Sequence, residues 1–173
     1  MASGGMDFEH IIVVNDPAHH GAAPVPLQSL KDGLRLLAVR PQSYDEGIDD
    51  FDLRIDAAGI LRRQMNRGAL ALCDHVRLLE DDRVYEQTID APAPFAGSVR
   101  RIAIEQPAPG VLLLRFDYRG RRSAPGDALD EREAGALRSA YLAADRDFVA
   151  ALRALHGHGA LGPLLKLHSP PGR

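Results

Sequence analysis

An acid on an apolar strand face is the most informative chemical feature of this sequence. Over residues 69–79, Leu70, Leu72, Asp74, Val76 and Leu78 alternate onto one side of an extended chain. Asp74 therefore has two readings. Either an arginine or a backbone N–H neutralises it, or it orients a ligand hydroxyl or acts as a base whose pKa partial desolvation has raised. Residues 111–118 bring Leu112, Leu114, Phe116 and Tyr118 to a common face in the same way, and Tyr141 lies on a helical stripe with Phe148. The hydroxyls of Tyr118 and Tyr141 suit either contact with a ligand at a cavity or core packing with a bound water. His10 shares parity with Phe8, Ile12 and Val14, which fits a half-buried, hydrogen-bonded structural imidazole. His75, on the other side of its strand from Asp74 with Ala71 and Cys73, is expected outside the sheet. Arg101 is also expected outside, with Ile102 and Ile104 inward, and Tyr85 has no clear parity.

Other chemistries lack a signature. His19-His20 and His156-x-His158 lie in segments read as irregular, and neither H-E-x-x-H nor a Cys/His cluster occurs, so no metal site is expected. Gly4-Gly5 and Gly157-x-Gly159 neither follow a strand nor open a helix, and no Walker loop or G-x-S-x-G elbow is present. No cofactor is expected.

The elements that must position these residues follow from periodicity and punctuation. Residues 8–14 read as a strand ending at the turn signal Asn15-Asp16-Pro17. Leu27, Leu30, Leu34, Leu37 and Ala38 predict a helix from Pro26 to Val39, broken before Pro41, and 42–48 read as a further short helical turn. Short runs at 51–57, 60–66, 69–79, 83–89, 99–105 and 111–118 are separated by turn residues, which predicts six consecutive hairpin-linked strands. After a polar loop at 119–129, Asp130 and Glu133 have capping-box spacing. Leu137, Tyr141, Ala144, Phe148, Ala151 and Leu155 then make one stripe, with Arg138, Asp145, Arg146 and Arg153 expected to face water. Gly157 ends the pattern. Residues 157–173 read as a mobile Gly/Pro-rich tail, and 7–156 as the single domain.

This order predicts an α+β helix-grip architecture, in which a curved antiparallel sheet of about seven strands wraps around a long C-terminal helix. A helix of about 25 residues spans about 38 Å, enough to cross the apolar side of such a sheet. Small residues on its stripe leave room for an apolar cavity, the usual form of a small-molecule site. The candidate lining is Leu72, Asp74, Val76, Leu114, Phe116, Tyr118, Tyr141 and Phe148.

Composition narrows the partners. The 173 residues are 45% hydrophobic, with 21 basic and 24 acidic residues and a net charge of -3. One core is the default at this size, and no basic block announces a nucleic-acid face. One cysteine, Cys73, and the lack of a leader pattern fit a reducing cytoplasm, and no run is long and apolar enough to span a membrane.

The sequence also resembles a known family. Phe8-Glu9-His10-Ile11, Asn15-Asp16-Pro17, Gly33-Leu34 with Pro41 and Gly47, Asp74 and Val76, Leu114-Arg115-Phe116 with Tyr118, and Ala140-Tyr141 leading to Asp145 occur in the order of the AtaL-like family of the START-like, or SRPBCC, superfamily. The similarity covers about residues 7–156. It departs from the family pattern at 19–24, which is rich in alanine and histidine, and in the tail. The resemblance implies a helix-grip fold with a deep hydrophobic cavity, in a family mostly without established activity, some of whose fungal relatives sit among secondary-metabolite genes. It implies no catalytic set.

Three functions remain open at this level. The leading one is a binding protein for a lipid, polyketide or aromatic metabolite, as a monomer or homodimer. The second is a cofactor-free cyclase, dehydratase or isomerase in which Asp74 and a tyrosine move protons. The third is a protein-interaction module. No compact catalytic constellation decides whether the chain is an enzyme.

Overall fold

The structure, a computed structural model, describes residues 7–19, 21–93, 95–120 and 130–167. His20, the loop at 121–129 and the end of the tail at 168–173 lie outside the described residues. Alternating inward apolar side chains produce strands β1 (Phe8–Asn15), β2 (Asp50–Ile55), β3 (Leu61–Arg67), β4 (Leu70–Leu79), β5 (Val84–Ala91), β6 (Val99–Ala108) and β7 (Val111–Arg119). Helices are α1 (Leu27–Val39), α2 (Glu131–Gly157) and α3 (Leu161–Lys166), with a single 3-10 turn at Pro41–Ser43 where the sequence suggests a longer turn. The strands form one antiparallel sheet in the order β1-β7-β6-β5-β4-β3-β2, the helix grip expected from the element order.

Several local devices set this geometry. Asn15 closes the segment after β1 by exchanging two hydrogen bonds with Val25, its Nδ2 donating to the carbonyl at 2.7 Å and its Oδ1 accepting from the amide at 2.9 Å. The β4–β5 turn holds Glu80, Asp81 and Asp82 all at positive φ, 54°, 55° and 61°, a costly run for residues with a Cβ. Two cations of α1 clamp it: Lys31 pairs with Asp81 and Arg35 with Asp82. At the start of α2, Asp130 accepts from the Glu133 amide at 2.7 Å while Glu133 accepts from the Asp130 amide at 3.0 Å, the reciprocal cap its spacing implies.

The core joins both sheet and helices: Leu34, Leu37, Leu61, Val76, Leu114, Phe116, Phe148, Val149 and Leu152 are buried together. Gly33 of α1 faces Leu152 of α2, and a Cβ there would lie 2.3 Å from Leu152 Cδ1. Gly33→Ala is therefore expected to cost about 1–3 kcal/mol by overpacking. Chemical denaturation measures it, and a further Leu152→Val change should return part of the loss. An unchanged midpoint in Gly33→Ala would mean that the two helices are free to separate.

Two expectations need correction. Asp145 does not face water: it is fully buried, whereas Ala144 is exposed. Positions 144 and 145 are three and four residues past Tyr141 and adjacent around the helix, so periodicity alone cannot choose between them. Partners on the sheet decide for the carboxylate. The tail, moreover, is not loose over its described part. A helical segment, α3, packs on α1 and buries Leu161, because its small leucine group finds the apolar flank of that helix.

Candidate functional site

Two polar clusters lie on the concave side of the sheet, and they differ in how completely they are satisfied. In the first, Arg63 donates from Nε and Nη2 to the two oxygens of Asp74 at 2.7 and 2.6 Å. Its Nη1 donates to the carbonyls of Leu37 and Ala38 at 2.9 and 3.2 Å, in the last turn of α1. Nη2 also reaches the Tyr85 hydroxyl at 3.2 Å. All five N–H donors of the guanidinium are thus used, and the cation sits where helix carbonyls favour it. Gln87 Nε2 donates to Asp74 at 2.5 Å. Asp74 is therefore held as the partner of an arginine, the first of the two readings above, and accepts three hydrogen bonds.

The second cluster is built around Asp145 of α2. The Tyr118 hydroxyl donates to its two oxygens at 2.7 and 2.8 Å, and Arg100 Nη2 donates at 2.8 Å. His10 Nε2 lies 3.0 Å from Oδ2 outside hydrogen-bond geometry, and its two ring nitrogens are buried without a hydrogen-bond partner, where the sequence predicts a hydrogen-bonded imidazole. Burial pushes the Asp145 carboxyl up, against the pull of Arg100, Tyr118 and His10. Burial likewise raises the Tyr118 phenol and lowers the His10 imidazole, the latter partly offset by Asp145. Tyr118 stays protonated at neutral pH and serves as a donor.

Arg100 is the less satisfied arginine. Its side chain is 25% exposed, against 2% for Arg63, its Nε is buried without a partner, and its Nη1 makes no hydrogen bond to a described residue. Strand register connects the two clusters. Arg63 faces Asp74, Gln87 faces Arg100 and Arg100 faces Tyr118, so a polar row crosses the apolar floor from β3 to β7.

Aromatic rings wall this row. Tyr118 stacks on Tyr141 at 4.3 Å and on Phe8 at 5.4 Å, and His10 stacks on Phe116 at 5.1 Å. Above, α2 is unevenly seated. None of its residues from 131 to 144 is fully buried, whereas Asp145, Phe148, Val149 and Leu152 are. On the concave side of the sheet Leu72, Gln87, Ile89 and Arg100 are only half-buried, as is Tyr141 on α2.

The expected lining thus divides. Val76, Leu114, Phe116 and Phe148 are packed in the core, Asp74 and Tyr118 are hydrogen-bonded as described, and Leu72 and Tyr141 are half-buried. His75 lies on the outer side and pairs with Asp90 at 2.8 Å, and Arg101 is exposed near Glu80. Tyr85 is buried against the first cluster. Arg63, Gln87, Ile89 and Arg100 were not singled out by sequence. Arg63 alternates with Leu61 and Met65 and pairs with Asp74 once the turn at Gly68 sets the register, and Arg100 shares parity with Ile102 and Ile104. Among the described residues no group of three His, Cys, Asp or Glu side chains is gathered as a metal would require, and no helix is long and apolar enough to cross a membrane.

His10 gives a pH signature. Its folded pKa lies below the ordinary 6.5, so the folded state binds this proton more weakly than the unfolded chain. The corresponding stability is fully present above pH 6.5 and is lost as pH falls through that value toward the folded pKa. Asp145, raised above its ordinary 3.8, acts in the opposite sense at lower pH. Denaturation midpoints are expected to fall between pH 7.5 and 5.5 in the parent and to fall less in His10→Phe. Parallel pH profiles would remove His10 as the cause.

A seven-stranded antiparallel sheet with a long C-terminal helix and polar groups on its concave side is the helix-grip fold. The di-domain ARO/CYC StfQ from the steffimycin biosynthetic pathway superposes with a TM-score of 0.60 at 14% identity, over 90% of this chain and 52% of that one. Ara h 8.0201 gives 0.56 at 12% identity, over 87% and 99%, and major latex-like protein 151 from Panax ginseng gives 0.51 at 13%, over 88% and 99%. The chain spans about half the length of StfQ. These similarities concern the fold. No curated protein sequence matches the chain significantly. Residues 12–159 match the AtaL family, described as acetylaranotin biosynthesis cluster protein L, and the chain belongs to that family.

Proposed function

We propose that the chain is a binding protein for a small, largely apolar molecule, held between the first half of α2 and strands β4 to β7. The observation that carries this reading is uneven burial: residues 131–144 of α2 bury nothing completely, and the inward-facing Leu72, Gln87, Ile89 and Arg100 of the sheet stay half-buried. An apolar space with a few convergent polar groups is the common form of a small-molecule site. The ARO/CYC designation and biosynthetic pathway of StfQ, with the biosynthesis cluster in the family description, make aromatic and polyketide-like metabolites the first ligands to test. Mass spectrometry of what copurifies, followed by thermal shift with the same compounds, tests the reading, since saturating ligand raises stability by RT ln(1 + [L]/Kd). If diverse lipids, polyketides and aromatics leave the melting temperature unmoved, the reading is lost.

A second reading, a cofactor-free cyclase, dehydratase or isomerase, draws on the buried Asp145, Tyr118 and His10. Such chemistry would run through Asp145 and Tyr118 rather than Asp74, which a bidentate, fully buried arginine holds as a structural carboxylate. Loss of turnover in Tyr118→Phe with ligand binding retained supports it; unchanged turnover removes the tyrosine from the scheme.

A further inference from the structure

We infer that α3 is a detachable strap: it undocks from α1 as a unit while the sheet and α2 stay folded, and its undocking uncovers an apolar face of α1 centred on Leu36. The inference stands independently of the proposed ligand site.

Helix α1 turns Leu30, Leu34, Leu37 and Ala38 into the main core. At about 100° per residue, position 36 lies roughly 150° round the helix from the middle of that group, on the side away from the sheet. Leu36 is nonetheless 0% exposed, and it is not part of the main core. Other neighbours of α1 are already placed. Gly33 and Ser29 face α2, where Ser29 Oγ lies 2.9 Å from His156 Nδ1, and Lys31 and Arg35 face the β4–β5 turn. The outer side falls to α3: the chain leaves α2 just past His156, turns at Gly159 with φ 65°, and packs α3 on α1. Leu161 of α3 is 5% exposed and is likewise buried outside the main core. Leu36 and Leu161 thus belong to a satellite apolar contact between α1 and α3.

Little besides this contact holds α3 in place. Leu161–Lys166 is six residues long, well short of the roughly 12–15 at which an isolated helix becomes even marginal. Its N-cap, Ala160, makes no side-chain hydrogen bond, and Leu164 and Leu165 are only half-buried. Three residues, His158 to Ala160, separate it from α2, and the left-handed backbone of that hinge falls on Gly159, which adopts it without steric cost. The family match, residues 12–159, ends just before α3, so the strap lies outside the segment the family shares. An element with few buried contacts opens at a lower free energy than the domain it rests on.

Native-state hydrogen exchange of the full chain, read by mass spectrometry, tests the strap with two neighbouring substitutions on α1. Leu37→Ala weakens the main core, so amides of β7 that open with the whole fold are expected to exchange about tenfold or more faster, while those of α3 keep the parent rate. Leu36→Ala weakens only the docked state and is expected to speed exchange in α3 about tenfold or more, as is Leu161→Ala from the other side of the contact. Uncovering of the face is read separately by a thiol. In a Cys73→Ser background, Leu36→Cys is expected to react with an aromatic disulfide reagent faster than the fold opens globally, and faster again by about tenfold or more when Leu161→Ala is added. If Leu37→Ala accelerates α3 and β7 alike, α3 opens only with the whole fold and the strap is refuted. Exchange in α3 that is unmoved by Leu36→Ala, or a thiol at position 36 that waits for global unfolding, removes α3 as the cover of that face.

Discussion

Arg63→Met is expected to lower the unfolding free energy by about 3–5 kcal/mol, a large part of what holds a domain of this size. The substitution deletes both bonds to Asp74 and strands a carboxylate with a fully buried side chain, while two carbonyls at the end of α1 lose their donor. Most of the effect is the penalty of the abandoned charge rather than the worth of the pair. Arg63→Met/Asp74→Leu should therefore regain the larger share of the loss, since an apolar replacement of a buried pair is often close to neutral. Urea denaturation of the parent, both single variants and the double variant supplies the cycle. A single-variant cost below about 1 kcal/mol would mean that the pair is open to water.

The second large effect is at Asp145. Asp145→Ala removes the acceptor of Arg100 and Tyr118 together with the anion beside His10, and is expected to cost about 3 kcal/mol, the lower end for a broken buried pair because Arg100 retains some access to solvent. Asp145→Asn keeps the shape and one acceptor oxygen and should cost about half as much. Thermal and urea unfolding compare the two. If the alanine variant is no worse than the asparagine variant, the cluster is not what fastens the middle of α2 to the sheet.

The architecture was largely legible from the chain. Turn residues such as Gly59, Gly68 and Gly110, all at positive φ, separate strands whose apolar alternation is clean, and the Asp130–Glu133 cap announces the last helix. The site was legible only in part. Asp74 stood out because it interrupts an apolar face, yet its meaning depended on Arg63, eleven residues away and brought opposite only by the hairpin register. Asp145 was misread because a charged residue next to the apolar stripe is usually solvated. What reverses that rule is a tyrosine from β7, an arginine from β6 and a histidine from β1 converging at one point, a long-range juxtaposition that no local spacing encodes.

The missing side chain at Gly33 reaches beyond local packing. It lets α1 and Leu152 approach closely, which pins the buried second half of α2 to α1, while the first fourteen residues of α2 reach the sheet through Tyr141, stacked on Tyr118 and Phe8. A bulkier residue at position 33 would therefore loosen the better-buried half of the long helix first, leaving the aromatic contact as its remaining hold on the sheet.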